Sequence, residues 1–256
     1  MLQPKQTANS LNSTDNLVYG VRPVIESLKA GKEFDKLFIQ KGLRADHLAE
    51  LYSLIKTLNV LVQQVPVEKL NRLTRKNHQG VVGFMSSIRF QPVEEVIQMA
   101  FEKGETPLLL ILDRVTDVRN FGAIARSAEC AGVHGIVVPT QNSAQINADA
   151  MKTSAGALNN IPVCRTGNLS RTIDYIKDTG LQLIAATEKA DKLLYEADFR
   201  LPTAIIMGSE EDGISPAFLR KSNEAVRIPL TGQTASLNVS VATAVIIFEA
   251  VRQRGL

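Results

Sequence analysis

The 256-residue sequence has no tryptophan, two cysteines and few aromatic residues, 5% in all. Cys130 and Cys164 lie far apart, each in an apolar setting. Two buried, reduced thiols are expected rather than a disulfide framework, which fits a reducing compartment. The opening stretch MLQPKQTANSLNSTDN has no apolar core and does not read as a signal peptide. No run approaches the ~20 apolar residues of a membrane span. A cytoplasmic protein without a membrane partner is the resulting expectation. HExxH and CxxC are absent and no His or Cys pair stands at ligand spacing, so no metal is expected. There is no GxxxxGK[ST], no GxGxxG after the first strand of either candidate domain, and no GxSxG. P-loop, ordinary dinucleotide and serine-hydrolase chemistry are therefore unsupported.

What is present is a chain with 45% hydrophobic residues and a net charge of +3. The length suits one large domain or two smaller ones, and the mild basicity permits a nucleic-acid partner without demanding one. Residues 1–16 are rich in Gln, Asn, Ser and Thr and read as a disordered tail. Residues 17–85 read as a small α/β unit. A helix after Gly20 and Pro23 puts Val24, Ile25 and Leu28 on one face; a strand follows at Lys36–Ile39. A helix over Leu43–Leu58, a strand over Asn59–Val65, a short helix over Pro66–Leu73 and a strand at Val81–Phe84 complete it. His78, beside Asn77 and Gly80, reads as a turn residue. Arg22, Arg75 and Lys76 are candidate phosphate contacts, although a solvated basic surface explains them equally well.

Residues 86–106, where the pattern loosens, read as a linker carrying a short helix. From Pro107 strands alternate with helices. Leu108–Leu112 is a continuous apolar run of the kind buried on both faces, and the spacing predicts a mostly parallel sheet over 107–256. Three polar stretches stand at strand ends, where open α/β sheets hold ligands. The first is Asn120–Ser127 with its preceding loop, whose Arg114 and Arg119 are further candidate RNA contacts; Gly122 there suits a close approach by an anion at a helix start. Arg119 and Arg126 could grip a phosphate together. The second is Gly208–Gly213 and the third Thr231–Ser240. Singly, each has an ordinary explanation: surface arginines, turn glycines, or Ser236 and Asn238 as helix caps.

Together the three stretches resemble the motifs of the SpoU (TrmH-type) RNA ribose 2'-O-methyltransferases of the SPOUT superfamily. NFGAIARS (120–127), IMGSEEDGI (206–214), and IPL (228–230) with SLNVSVA (236–242) are the matching residues. YGVRPV (19–24) and HQGVV (78–82) are similar to the RNA-binding domain of the large-subunit rRNA guanosine members of that family. In the first motif, Phe121-Gly122-Ala123 stands where many relatives have Pro-Gly-Asn. The resemblance implies a deep trefoil knot in the C-terminal domain, a homodimer whose active site takes residues from both subunits, and S-adenosylmethionine as cofactor. Thr187, Gly208, Ile228 and Leu237 would surround the cofactor, with backbone groups on its polar parts and apolar side chains around the ring.

The implied reaction is attack of a ribose 2'-oxygen on the methyl group, with Asn120, Arg126, Glu210, Ser236 and Asn238 as catalytic candidates. By resemblance Arg126 activates the hydroxyl. Because arginine stays protonated, the physically consistent role is to bind the neighbouring phosphate and stabilise the developing alkoxide, a phosphate oxygen or water taking the proton. Asn120 would orient Arg126 or the ribose, Glu210 would hold the second loop or an arginine, and Ser236 and Asn238 would hydrogen-bond substrate or cofactor. The expected substrate is a guanosine in large-subunit rRNA. Alternatives are a tRNA ribose methyltransferase, a non-catalytic RNA-binding assembly protein and a small-molecule α/β enzyme.

Overall fold

The computed structural model describes residues 16–43, 48–58, 60 and 62–255. The expected tail, the start of the 43–58 helix and part of the 59–65 strand fall largely outside them. The chain divides into two compact units, meeting at Ser86/Ser87.

The first unit holds β1 (Leu17–Tyr19), α1 (Val21–Lys29), β2 (Phe34–Gln40), α2 (Ala49–Thr57), β3 (Val62–Val65), α3 (Val67–Leu73) and β4 (Val81–Met85). Its sheet runs β1-β4-β2-β3. β4 is antiparallel to both β1 and β2, and β2 is parallel to β3. Val24, Ile25 and Leu28 form the buried face of α1, as the periodicity predicts. Pro66 precedes α3, where its missing N–H costs nothing. His78 is a satisfied turn residue: its Nδ1 accepts from the Gly80 N–H at 3.0 Å and its Nε2 meets Asn71 Oδ1 at 2.9 Å.

The second unit begins at Ser87, and the expected linker is part of it. Phe90 bridges to Val163. α4 (Val93–Glu102) buries Val93, Val96, Ile97 and Ala100, three of them in the same apolar cluster as Leu109 and Ile111. The helix was legible from its spacing; its partner was not. There follow β5 (Leu108–Leu112), α5 (Val118–Cys130), β6 (Gly135–Pro139), α6 (Ala148–Thr153), β7 (Val163–Thr166), α7 (Leu169–Asp178), β8 (Gln182–Ala186), β9 (Lys192–Leu193), β10 (Thr203–Met207), α8 (Pro216–Lys221), β11 (Glu224–Arg227) and α9 (Val239–Gln253). The sheet order is β7-β6-β5-β10-β8-β11-β9, and every pairing is parallel.

Strand β5 shows why the run LLLIL folds this way. Leu108, Leu110 and Leu112 face one core with α5, α6 and α9. Leu109 and Ile111 face the other, with α4 and α7. Each such side chain contributes roughly 1.5–3 kcal/mol on burial, so neither face tolerates a polar residue. Strand order reverses between β5 and β10, and ligand sites in open parallel sheets form beyond the carboxyl ends of the strands at such a switch.

Two local expectations are corrected. α5 starts at Val118, capped by Asp117, whose carboxylate accepts from the Asn120 N–H at 2.7 Å; Asn120 and Gly122 are therefore helical, not loop. The Gly122 close approach is to α6 and not to an anion. A Cβ there would sit 2.7 Å from Thr153 Cβ and 2.9 Å from the Ala150 carbonyl oxygen. Of the two thiols only Cys164 is buried, and burial pushes it up to about 12. Cys130 is exposed, because it lies on the outer side of the last turn of α5.

Candidate active site

Three strand ends lie side by side: β10 leads into Gly208, β8 into Thr187 and β11 into Ile228. Beyond them a cavity of about 310 Å³ opens, closed on its far side by the first turns of α9. Thr187, Gly208, Ile228 and Leu237, the four expected cofactor residues, all line it, as do Glu210, Ser236 and Asn238. Leu230 and Leu237 line it while remaining 38% and 37% exposed. A ligand placed between them would cover apolar surface that water now wets.

Glycine at position 208 is dictated by the loop itself. A Cβ there would fall on the backbone of Gly213 and Ile214. The loop closes on itself through a bridge in which the Ser209 N–H donates to the Gly213 carbonyl at 3.2 Å and the Gly213 N–H returns the bond at 3.0 Å.

At the cavity rim the three polar stretches meet. Asn238 Nδ2 donates to Glu210 Oε1 at 2.7 Å and to Asn120 Oδ1 at 3.0 Å; Asn120 Nδ2 donates to Glu210 Oε1 at 3.1 Å. The Val239 N–H also reaches Glu210 Oε1, at 3.3 Å. Glu210 thus holds two amides and a helix-terminal N–H rather than an arginine. Asn238 additionally caps α9, its Oδ1 accepting from the Ser240 and Val241 N–H groups. The capping and site readings of Asn238 are both realised, one on each end of the amide. Ser236 is exposed on the cavity wall.

Arg126 is not in this triangle. It lies on the exposed side of α5 and makes no hydrogen bond or ion pair among the described residues. Arg119, also exposed, is seven residues away, which puts the two guanidiniums on one helix face about 20° apart. Arg22, Arg75 and Lys76 are exposed on the first unit.

Arg114, read from sequence as an RNA contact, is committed elsewhere. It bonds Asp113 through Nε and Nη2, Asp212 through Nη1 at 2.9 Å, and the Gly213 carbonyl through Nη2 at 3.0 Å. Its pKa is raised, first by the hydrogen bond to Asp113. Asp113, 3% exposed at the end of β5, also accepts from the Ser215 N–H and Oγ, both at 2.6 Å. This clasp of Asp113, Arg114, Asp212 and Ser215 ties the loop after β10 to the end of β5. Sequence reading missed it, although a lone carboxylate ending an all-apolar strand was the available signal.

An α/β protein with a ligand-sized cavity at the carboxyl ends of a parallel sheet is the class this architecture defines. The sequence profile described as "SpoU rRNA Methylase family" matches residues 107–248, and that described as "RNA 2'-O ribose methyltransferase substrate binding" matches residues 17–91. The 23S rRNA (guanosine-2'-O-)-methyltransferase RlmB of Yersinia pestis is 37% identical over 242 residues, covering 94% of this chain and 98% of that protein. Among solved structures, the SpoU methyltransferase AviRb from Streptomyces viridochromogenes in complex with AdoMet superposes with a TM-score of 0.59 at 27% identity, over 93% of this chain and 90% of that one. The TrmH/SpoU tRNA modifying enzyme of A. aeolicus superposes with a TM-score of 0.54 at 28% identity, but over only 63% of this chain and 84% of its own. The chain belongs to the SpoU rRNA methylase family, and so to the S-adenosylmethionine-dependent RNA ribose 2'-O-methyltransferases; its all-parallel C-terminal sheet is typical of the SPOUT knot fold.

The cavity suits that cofactor chemically. Apolar side chains (Ile228, Leu230, Leu237) can flank an aromatic ring, polar backbone at Gly208 can meet its edges, and the acidic residues Glu188 and Glu210 among the lining suit a cationic sulfonium. Among the described residues no three His, Cys, Asp or Glu side chains gather to hold a metal, and no helix is long and apolar enough to cross a membrane.

Proposed function

We propose that this protein methylates the ribose 2'-oxygen of a guanosine in large-subunit rRNA, acting as a homodimer. The observation that carries the reading is the Asn120–Glu210–Asn238 triangle. It joins three loops far apart in sequence at the rim of one ligand-sized cavity. Bound there, S-adenosylmethionine supplies the methyl group. Thr187, Gly208, Ile228 and Leu237 hold it. Glu210 and Asn238 fix the loop after β10 against the start of α9, so the pocket is formed before the ligand arrives. Asn120 links that rim to α5, whose outer face carries Arg119 and Arg126. Arg126 binds the phosphate beside the target ribose and stabilises the charge growing on its oxygen; water or a phosphate oxygen removes the proton. Positioning of this kind can lower a barrier by about 7–11 kcal/mol.

Large-subunit rRNA is favoured over tRNA because similarity to the Yersinia rRNA enzyme runs through both units, whereas the tRNA enzyme reaches only 63% of the chain. Incubating the protein with labelled S-adenosylmethionine and, separately, 23S rRNA and bulk tRNA tests this. Methyl incorporation only into tRNA would refute the rRNA assignment. Arg126→Lys keeps the charge and loses the planar fork, and is expected to lower kcat by about tenfold or more with unchanged cofactor affinity. Near-normal turnover would rule out bidentate phosphate binding.

The dimer reading rests on α9. Val241, Val245 and Phe248, spaced i, i+4 and i+7, are 48%, 37% and 47% exposed and form one apolar stripe beside the cavity wall, which a second copy would cover. The site triangle leaves Arg126 outside it, so a partner subunit completing the RNA site fits both observations. Phe248→Asp is expected to shift the protein to monomer in light scattering and to reduce methylation at least about tenfold, since burying an unpaired carboxylate in an interface is costly. A dimer that survives this change would place the interface elsewhere.

A further inference from the structure

The sheet of the first unit has two unlike faces. One is closed by α1 and α2 over a large cluster that includes Val24, Leu28, Leu37 and Leu51. Among the described residues the other carries the seven-residue α3 and a buried cluster of Phe38, Val65, Leu70 and Val82. Tyr19 on β1 and Phe84 on β4 border that cluster and stay half-buried. The register pairs Leu17 with Phe84 and Tyr19 with Val82, which puts the two rings diagonally on one face.

Among the described residues two lysines lie over rings of this face. Lys76 Nζ stands 5.5 Å from the Tyr19 ring centre, and Lys69 Nζ 4.9 Å from that of Phe38. Phe38 and Phe84 meet edge to face at 6.3 Å. The margin next to Tyr19 holds two positive-φ residues: Gly20 at φ 92° and ψ 151°, open to glycine, and Gln79 at φ 50°, which is costly for a residue with a Cβ. They are tied together, Gln79 Oε1 accepting from the Val21 N–H at 3.2 Å and the Val81 carbonyl from the Gly20 N–H at 2.9 Å. In sequence Arg22 follows this join, and Arg75 and Lys76, all exposed, precede it.

We infer, resting on the reading of this unit as an RNA substrate-binding domain, that the Tyr19–Phe84 face is a stacking platform for unpaired bases of the substrate. In the free protein Lys76 covers the Tyr19 ring and Lys69 the neighbouring Phe38 ring; both move to backbone phosphates when bases arrive. An exposed cation–π contact is weak enough to be exchanged in this way. A duplex would need only the cations, because its bases are already stacked and it is recognised through phosphates and 2'-hydroxyls. Aromatic rings beneath a basic surface are the combination that single strands use.

The test uses the full-length protein with a single-stranded RNA oligonucleotide carrying 2-aminopurine, and with the same sequence as a duplex. Tyr19→Leu and Phe84→Leu are each expected to weaken single-strand binding on the order of tenfold and to remove the change in 2-aminopurine fluorescence, with duplex binding unaltered. Tyr19→Phe retains the ring and the affinity. Lys76→Ala is expected to flatten the dependence of log K on log salt by about 0.7 for the single strand. Unchanged single-strand affinity in both leucine variants, or an equal loss on the duplex, overturns the platform. If neutralising Arg22, Arg75 and Lys76 together leaves binding of both RNA forms intact, the domain reading itself fails, and the platform with it.

Discussion

Replacing Gly208 by alanine is expected to weaken S-adenosylmethionine binding at least about a hundredfold in Kd, or about 2.7 kcal/mol, while most of the fold survives. The added Cβ would fall on the backbone of Gly213 and Ile214. A flexible side chain could rotate away from such an overlap; two peptide units bridged by reciprocal hydrogen bonds cannot. The loop must open, which moves Glu210 away from Asn120 and Asn238 and removes the cavity wall at Gly208 and Gly213. Strand β10 itself is not strained, because Thr203–Met207 is buried and paired on both sides. Calorimetry with S-adenosylmethionine and a thermal melt on the same sample separate the two effects. A variant that binds the cofactor with wild-type affinity would show that the loop has a second closed arrangement.

Much of the sheet was legible because its strands are runs that only a two-sided core accepts. LLLIL, GIVV and AIIM have no polar residue to place at a surface. The elements that escaped are those whose reason lies elsewhere in the chain. β1 has three residues and β9 two, too few for any period to show. α8, from Pro216, is short and lies beyond a glycine-rich loop. The first turn of α5 reads as a loop because Asn120 and Gly122 are turn residues by habit; helix packing against α6 is what needs Gly122.

The site divides along the same line. Polar residues at strand ends marked the second and third loops as candidate ligand positions, and the cavity lies there: Thr187 and Gly208 follow the buried strands β8 and β10, and Ile228 follows the half-buried β11. That the three stretches act together came from family resemblance alone. A triangle spanning 118 residues between Asn120 and Asn238 leaves no periodic trace. The partners of Arg114 were illegible for the same reason. In sequence it is one more cation in a polar loop, and its partner Asp212 is 98 residues away. Of the two roles expected for Glu210, holding the second loop or an arginine, the structure shows the first, since Arg114 is engaged by Asp113 and Asp212.

Asp113→Ala is the second large loss, and here the energy is in the fold. The carboxylate is 3% exposed and accepts from Arg114 and from both the N–H and hydroxyl of Ser215. Alanine leaves those donors facing a buried gap, and Arg114 is held at φ 59° without the partner that offsets its strain. Breaking a buried, hydrogen-bonded ion pair from one side costs about 3–5 kcal/mol; since the Arg114 side chain is 30% exposed, the lower part of that range, about 3 kcal/mol, is expected in urea denaturation. Asp113→Asn keeps the shape and one acceptor oxygen and should lose about half as much. The clasp holds Gly213 and Ser215, so S-adenosylmethionine affinity should fall with stability, on the order of tenfold. A double-mutant cycle with Arg114→Ala isolates the pair: in the Asp113→Ala background the second change should cost less than about 1 kcal/mol. Additive losses would mean that Asp113 acts through Ser215 alone and that Arg114 holds the loop only through Asp212 and the Gly213 carbonyl.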